Sequence, residues 1–182
     1  MWTRLKTLAW WLCARLASPS ARGALFRMQG ARVGEGCYFV IYTLGSEPYL
    51  VEIGAETLVA GGVRFLTHDG GIWVIRRLRP KVKVNRFKPV RIGERCFIGT
   101  DSILLPGTDI GDDTIIGAGS VVTGKIPSGV VAAGVPARVI RTTQEWADKV
   151  EAETLWSMPR GRISERERRR YLVDALMTPA QR

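Results

Sequence analysis

The chain has a single histidine, His68, among 182 residues. Any site that needs two or more histidine ligands from one chain is therefore excluded, and no metal centre is expected. Three cysteines, Cys13, Cys37 and Cys96, are too few for a disulfide framework and fit a reducing compartment. No apolar run approaches the ~20 residues of a membrane span. The longest early stretch, Leu8–Ala14, is stopped by Arg15. A signal peptide is the alternative reading there, because Arg4 and Lys6 precede the apolar residues. Acids are missing from two whole segments. Residues 1–32 carry six bases (Arg4, Lys6, Arg15, Arg22, Arg27 and Arg32) and no acid. Residues 71–91 carry eight (Arg76, Arg77, Arg79, Lys81, Lys83, Arg86, Lys88 and Arg91) and again no acid. The formal charge of +10 is thus concentrated there, and the remainder is mildly acidic.

With 46% hydrophobic and 24% charged residues, the chain has globular composition and the length of one ordinary domain. Its organising feature is a repeat of six. Stepping from Ile92 gives Ile98, Leu104, Ile110, Ile116 and Val122, all aliphatic. Glycine follows four of the six, at Gly93, Gly99, Gly111 and Gly117. Four positions beyond each aliphatic stand Cys96, Ser102, Thr108, Thr114, Ser120 and Ile126, mostly small. The frame also runs through Val33 and Phe39, and through Ile53, Val59 and Phe65. A period of six fits neither a helix nor a simple alternating strand. It divides into a short strand and a turn, and three such units close a triangular prism of parallel strands. A β-sandwich with regular turns is the competing reading, and six units without a slip disfavour it. The frame assigns residues 1–32 to a basic helical segment, 33–141 to a β-helix interrupted by a loop at 71–91, and 142–182 to a helical tail.

The stretch Pro89–Arg141, ending GVPARVIR, resembles the C-terminal coils of the hexapeptide-repeat acyltransferases. It is most similar to the maltose, galactoside and polysaccharide-cluster O-acetyltransferases. The resemblance covers about residues 33–141 and implies a mainly β fold, a left-handed parallel β-helix. It also implies an acetyl-CoA-dependent O-acetyltransferase acting on a sugar hydroxyl, in surface-polysaccharide or glycan assembly. An N-acyltransferase of an amino sugar or sugar nucleotide, or a xenobiotic acetyltransferase, are the alternatives. A γ-carbonic-anhydrase-like protein on the same fold needs three histidines per site, which one per chain cannot supply. A non-catalytic β-helix would need neither His68 nor the GVPARVIR tail. No nucleic-acid-binding motif accompanies the charge.

His68 stands where the resembling enzymes carry their catalytic histidine, at the point where the repeat breaks in FLTHDGG. Imidazole is the side chain that ordinarily titrates near neutrality, so it can take a proton from a hydroxyl attacking a thioester. Asp69 and Asn85 are the candidate acceptor-binding residues, and Asp69, Asn85 or Glu52 the candidates for orienting the ring. The resemblance assigns Phe97, Thr100, Ala118, Thr123, Lys125, Arg138 and Arg141 to acetyl-CoA. The arginines suit its phosphates. Phe97 replaces a frequent tryptophan, and Gly124 separates Thr123 from Lys125 where relatives join the two residue types. Cys37 and Cys96 fall on inward positions and read as core. The resemblance further implies a homotrimer with the cofactor between adjacent prisms.

Leu5, Leu8, Leu12 and Leu16 predict a helix over about 3–17, ended by Ser18-Pro19. It either caps an open end of the stack or contacts an anionic membrane from the cytoplasmic side, with Trp2, Trp10 and Trp11 as anchors. In the loop, KVKVNRF alternates and predicts an extended arm. Its charge serves either as a solvated flap or as a clamp over phosphates. Thr143 opens a helix to about Trp156. Ser164 and Glu167 form a capping box before a basic helix to about Met177.

Overall fold

The computed structural model describes residues 12–81, 83–153 and 164–176. Residues 12–16 are helical, and α1 follows at Arg22–Met28. Short strands then succeed one another: β1 (Arg32–Val33), β2 (Tyr38–Phe39), β3 (Val51–Ile53), β4 (Leu58–Val59) and β5 (Arg64–Phe65). A 3₁₀ turn, Pro48–Leu50, precedes β3, and α2 (Ile72–Leu78) lies in the loop. The second run is β6 (Val90–Ile92), β7 (Phe97–Ile98), β8 (Ile103–Leu104), β9 (Asp109–Ile110), β10 (Ile115–Ile116), β11 (Val121–Val122), β12 (Lys125–Ile126), β13 (Val130–Gly134) and β14 (Ala137–Thr142). Two helices end the described chain, α3 (Thr143–Glu153) and α4 (Glu165–Leu176).

Successive strands visit three sheets in turn. The first face is ordered β1-β3-β6-β9-β12, the second β14-β13-β10-β7-β4-β2, the third β11-β8-β5. Strand pairs within the prism are parallel, and β14 folds back antiparallel on β13. The architecture is therefore a parallel β-helix, and the six-step aliphatics form its axis. Ile92, Ile98, Leu104, Ile110, Ile116 and Val122 are all buried, as are Ile53, Val59 and Phe65. The small positions beside them carry buried hydroxyls that cap corner carbonyls. Thr57 donates to Gly93 O, Ser102 to Gly117 O, and Thr108 to Val122 O. Satisfying these groups removes the cost of burying them.

Besides the loop at 71–91, the frame departs from six in two places. Val33 stands beside Ile53, so the first coil carries two extra residues, as the sequence indicates. After Val122 the corner shortens to Thr123-Gly124, with Gly124 at φ 71°, and Ile126 pairs with Ile110. Ile126 is thus a core side chain of the next coil and not the small corner residue that the six-step frame makes it. Cys37 and Cys96 are buried, as expected, and burial is the main cause raising both thiols above their ordinary pKa. Cys13 is exposed. A neutral-pH thiol reagent is expected to modify Cys13 alone in the native protein and all three cysteines after denaturation, counted by intact mass.

The open lower end is closed by α1. Phe26 meets Phe39 edge-on at 5.1 Å. Arg22 is buried, donating to Ala14 O at 2.9 Å and Phe39 O at 2.7 Å. The residues reaching the prism edge thus include a second short helix that the leucine spacing over 3–17 does not indicate. The anchors Trp2, Trp10 and Trp11 lie outside the described residues. No described helix is long and apolar enough to cross a membrane. The chain divides into units 1–146 and 147–182. In the second, Ser164 and Glu167 cap α4 reciprocally, as their spacing predicts. At α3 the N-cap is Thr142, whose hydroxyl accepts from Glu145 N.

The loop opens with a helix that the sequence reading does not include, while the described residues of KVKVNRF carry no helix. Its first part is the helix α2, entered through a turn in which Asp69 Oδ1 accepts from Gly71 N. Only the return is extended: Phe87 bridges His68 antiparallel, and Asp69 N donates to Arg86 O.

Candidate active site

His68 projects from the corner between the third and first faces, and its side chain is 46% exposed. Its Nδ1 lies 3.0 Å from Glu47 Oε2. A carboxylate only accepts, so this contact puts the proton on Nδ1 and leaves Nε2 as the acceptor. Glu47 comes from the corner one coil below, in the two-residue excess of the first coil. It also accepts from Thr67 Oγ1 at 2.5 Å. The Thr67 hydroxyl, then His68, hold its carboxyl below the 4.5 of an ordinary glutamate. The Phe87 ring flanks the imidazole at 5.9 Å.

The orienting group is therefore Glu47, and the three sequence candidates have other partners. Asp69 pairs with Arg86 at 2.8 Å. Asn85 Oδ1 accepts from Arg76. Glu52 lies on the first face, between Arg32 and Arg91. A signal for Glu47 was present in the sequence: extra residues in a coil mark a bulge, and this one bulges directly beneath His68.

His68 stands between two concavities. One, about 290 Å³, is walled on the prism side by Leu105, Pro106 and Thr123. The other, about 220 Å³, is walled on the loop side by Trp73, Arg76, Asn85 and Phe87. Asp69 and Arg86 border both. A larger groove, about 840 Å³, lies along the glycine corners of the first face, away from His68.

The structure thus brings together His68, Asp69, Asn85 and Thr123. The remaining candidates lie elsewhere on the same prism. Phe97 is exposed on the second face. Thr100 and Ala118 are exposed on the corner between the second and third faces, where Gly119 N donates to Thr100 O at 2.7 Å. Arg138 and Arg141 lie on β14, with the Arg141 guanidinium 5.5 Å from the Trp146 ring centre. Lys125 is on the first face, in register with Asp109. A single prism therefore places the imidazole and most of these positions on different corners.

Comparison with known proteins bears on this arrangement. Residues 89–124 match the family described as "Hexapeptide repeat of succinyl-transferase". Protein CapG of Staphylococcus aureus is 37% identical over 127 residues, covering 68% of this chain and 73% of CapG. Galactoside O-acetyltransferase of Escherichia coli K12 is 44% identical over 95 residues, covering 52% of this chain and 45% of that protein. The crystal structure of a hexapeptide-repeat-containing acetyltransferase from Vibrio cholerae superimposes with a TM-score of 0.56 at 20% identity, over 76% of this chain and 89% of that one. That likeness supports the left-handed β-helix class. Built on this repeat, and alike over most of CapG's length, the chain belongs to the hexapeptide-repeat acyltransferases.

Proposed function

We propose that the protein is an acetyl-CoA-dependent O-acetyltransferase that acetylates a sugar hydroxyl in surface-polysaccharide or glycan assembly, with His68 as general base. The observation that carries this reading is an imidazole fixed by Glu47 at the junction of two clefts. Two substrates meeting at one base need that layout. The sugar acceptor is supported by the galactoside O-acetyltransferase likeness. WbbJ of Escherichia coli K12, provisionally named a lipopolysaccharide biosynthesis O-acetyl transferase, is 34% identical over 126 residues and points to glycan assembly.

In this mechanism the acceptor sits on the loop side, within reach of Asp69 and Asn85. Nε2 takes its hydroxyl proton as oxygen attacks the acetyl group, and later gives that proton to the departing thiolate. Glu47 keeps Nδ1–H in place and stabilises the transient imidazolium. Acetyl-CoA supplies the activated thioester. Thr123 borders the prism-side cleft, while Thr100, Ala118 and Phe97 would line the pantetheine path and Lys125, Arg138 and Arg141 would meet phosphates. These positions fit a cofactor shared by neighbouring prisms.

We further place the protein in the cytoplasm as a homotrimer. In-register Tyr38, Leu58, Phe97, Ile115 and Val131 form an apolar column along the second face. The first face instead carries a ladder of alternating charge: Arg32, Glu52, Arg91, Asp109 and Lys125. The column is the surface a second copy would cover. Light scattering is expected to give three copies, and Ile115→Glu to dissociate them.

Glu47→Gln is expected to lower kcat about 10-fold or more with KM nearly unchanged, because Glu47 acts on the base and not on substrate. A parallel rise in KM would instead place Glu47 in the acceptor site. The same contacts stabilise the fold. With a lowered pKa, that contribution is complete above about 4.5 and disappears as pH falls through the lowered value.

The deciding experiment is a mass-spectrometric screen of acetyl transfer to sugars, sugar nucleotides and lipid-linked glycans. An alkali-labile sugar ester is expected. A product acetylated solely on nitrogen would overturn the O-acetyl reading.

A further inference from the structure

We propose that α2 and the basic return of its loop dock the mouth of the His68 clefts onto an anionic lipid surface. None of the α2 side chains is buried. Trp73 is 65% exposed and Leu78 73%, with Val74 and Ile75 exposed beside them. Such a row of large apolar groups stands largely exposed on a seven-residue helix, with only Arg77 seen to stack on it. The charge around it has one sign: residues 71–91 hold eight bases and no acid.

Some of those bases are engaged. Arg76 donates to Val84 O and Asn85, Arg86 pairs with Asp69, and Arg91 with Glu52. Arg77 stacks over the Trp73 ring at 5.0 Å. Arg79, Lys81, Lys83 and Lys88 have no carboxylate partner among the described residues. The prism has few acids left to offer them. Glu52 is held by two arginines, Asp113 by Arg95, Glu47 by His68, and Asp112 by the Glu94 amide.

An exposed apolar helix with only positive charge fits an interface in which apolar groups enter the headgroup zone and cations meet lipid phosphates. Long basic side chains reach sideways to the phosphates while their stems stay on the apolar layer. A nucleic acid would satisfy the cations but would leave Val74 and Leu78 in water. A second copy of this chain would have to supply unpaired carboxylates. The surface is continuous with the site, because Trp73 and Arg76 also wall the loop-side cleft beside His68. Docking would therefore turn that cleft toward the bilayer, whichever acceptor it takes.

The test is flotation of the full-length chain with vesicles of phosphatidylcholine alone, and with equal parts phosphatidylcholine and phosphatidylglycerol. Binding only to the second, weakening with salt, is expected. Trp73→Ala with Leu78→Ala should reduce partitioning about 10-fold or more. Lys81→Glu with Lys83→Glu should reduce it comparably and flatten the salt dependence. Both pairs are exposed, so the melting temperature should hold. Equal flotation with neutral vesicles, or wild-type flotation of both double variants, overturns the proposal. So does a changed oligomeric state in the Trp73/Leu78 variant, which would assign α2 to a contact between copies.

Discussion

His68→Ala should reduce acetyl transfer about 10²–10⁴-fold while leaving the fold intact. Both halves of that expectation come from the corner it occupies. The side chain is 46% exposed and fills no part of the prism axis, so its removal opens no core cavity. The polar group it leaves behind is Glu47, which still accepts from Thr67 and is partly wetted, at 14% exposure. Stability should therefore change by less than about 1 kcal/mol. Retention on a CoA resin should also persist, since the cofactor positions lie largely on other corners. Transfer measured with the best acceptor from the screen, beside a thermal melt, gives the answer. Near-wild-type turnover in a folded His68→Ala protein would end the general-base assignment.

A large effect on stability is expected at Gly99, one of the tightest glycine corners. A Cβ there would lie 2.5 Å from Ala118 N, 2.6 Å from Ile116 O and 2.7 Å from Gly117 C. All three are backbone atoms of the next coil and cannot swing aside. Coils stack at the ~4.8 Å spacing of paired strands, so the added methyl must force two of them apart. The hydrogen bond from Gly99 N to Ile116 O at 2.9 Å goes first. Gly99→Ala is expected to cost about 3–5 kcal/mol, which lowers Tm by roughly 10 °C for a chain of this size. Gly61→Ala is the control. Its Cβ would make one ordinary contact, 3.6 Å from Val40 Cγ1, and the cost should stay below about 1 kcal/mol. If the two variants melt alike, coil spacing is not what these glycines protect.

That contrast shows how much the sequence could say. The step of six located the axis correctly from Ile92 to Val122, because each unit repeats the same local problem of one inward aliphatic and one tight corner. It failed at Ile126, where two residues are lost from a corner, and no local pattern announces a shortened turn. It passed over Glu47 for the opposite reason: the residue acts through vertical stacking, 21 positions from His68 along the chain. The α2 helix was hidden by the alternation that follows it. The early arginines count in the sequence only as charge. Arg22 and Arg27 instead donate to Phe39 O and Val33 O, carbonyls at the lower edge of the stack. Which carbonyls need donors is decided only once three faces have closed.

Those two arginines and β14 act on the exposed edges of the stack. A parallel β-helix is a polymer in principle, because each coil presents to the next the same edge it received. Below, Phe39 N donates to Pro19 O, and Arg22 covers the carbonyl beside it. Above, β14 covers the edge of β13 on the second face and runs antiparallel to it. The second face is thus blunted below by a buried guanidinium and above by a reversed strand, which disfavours addition of another copy there.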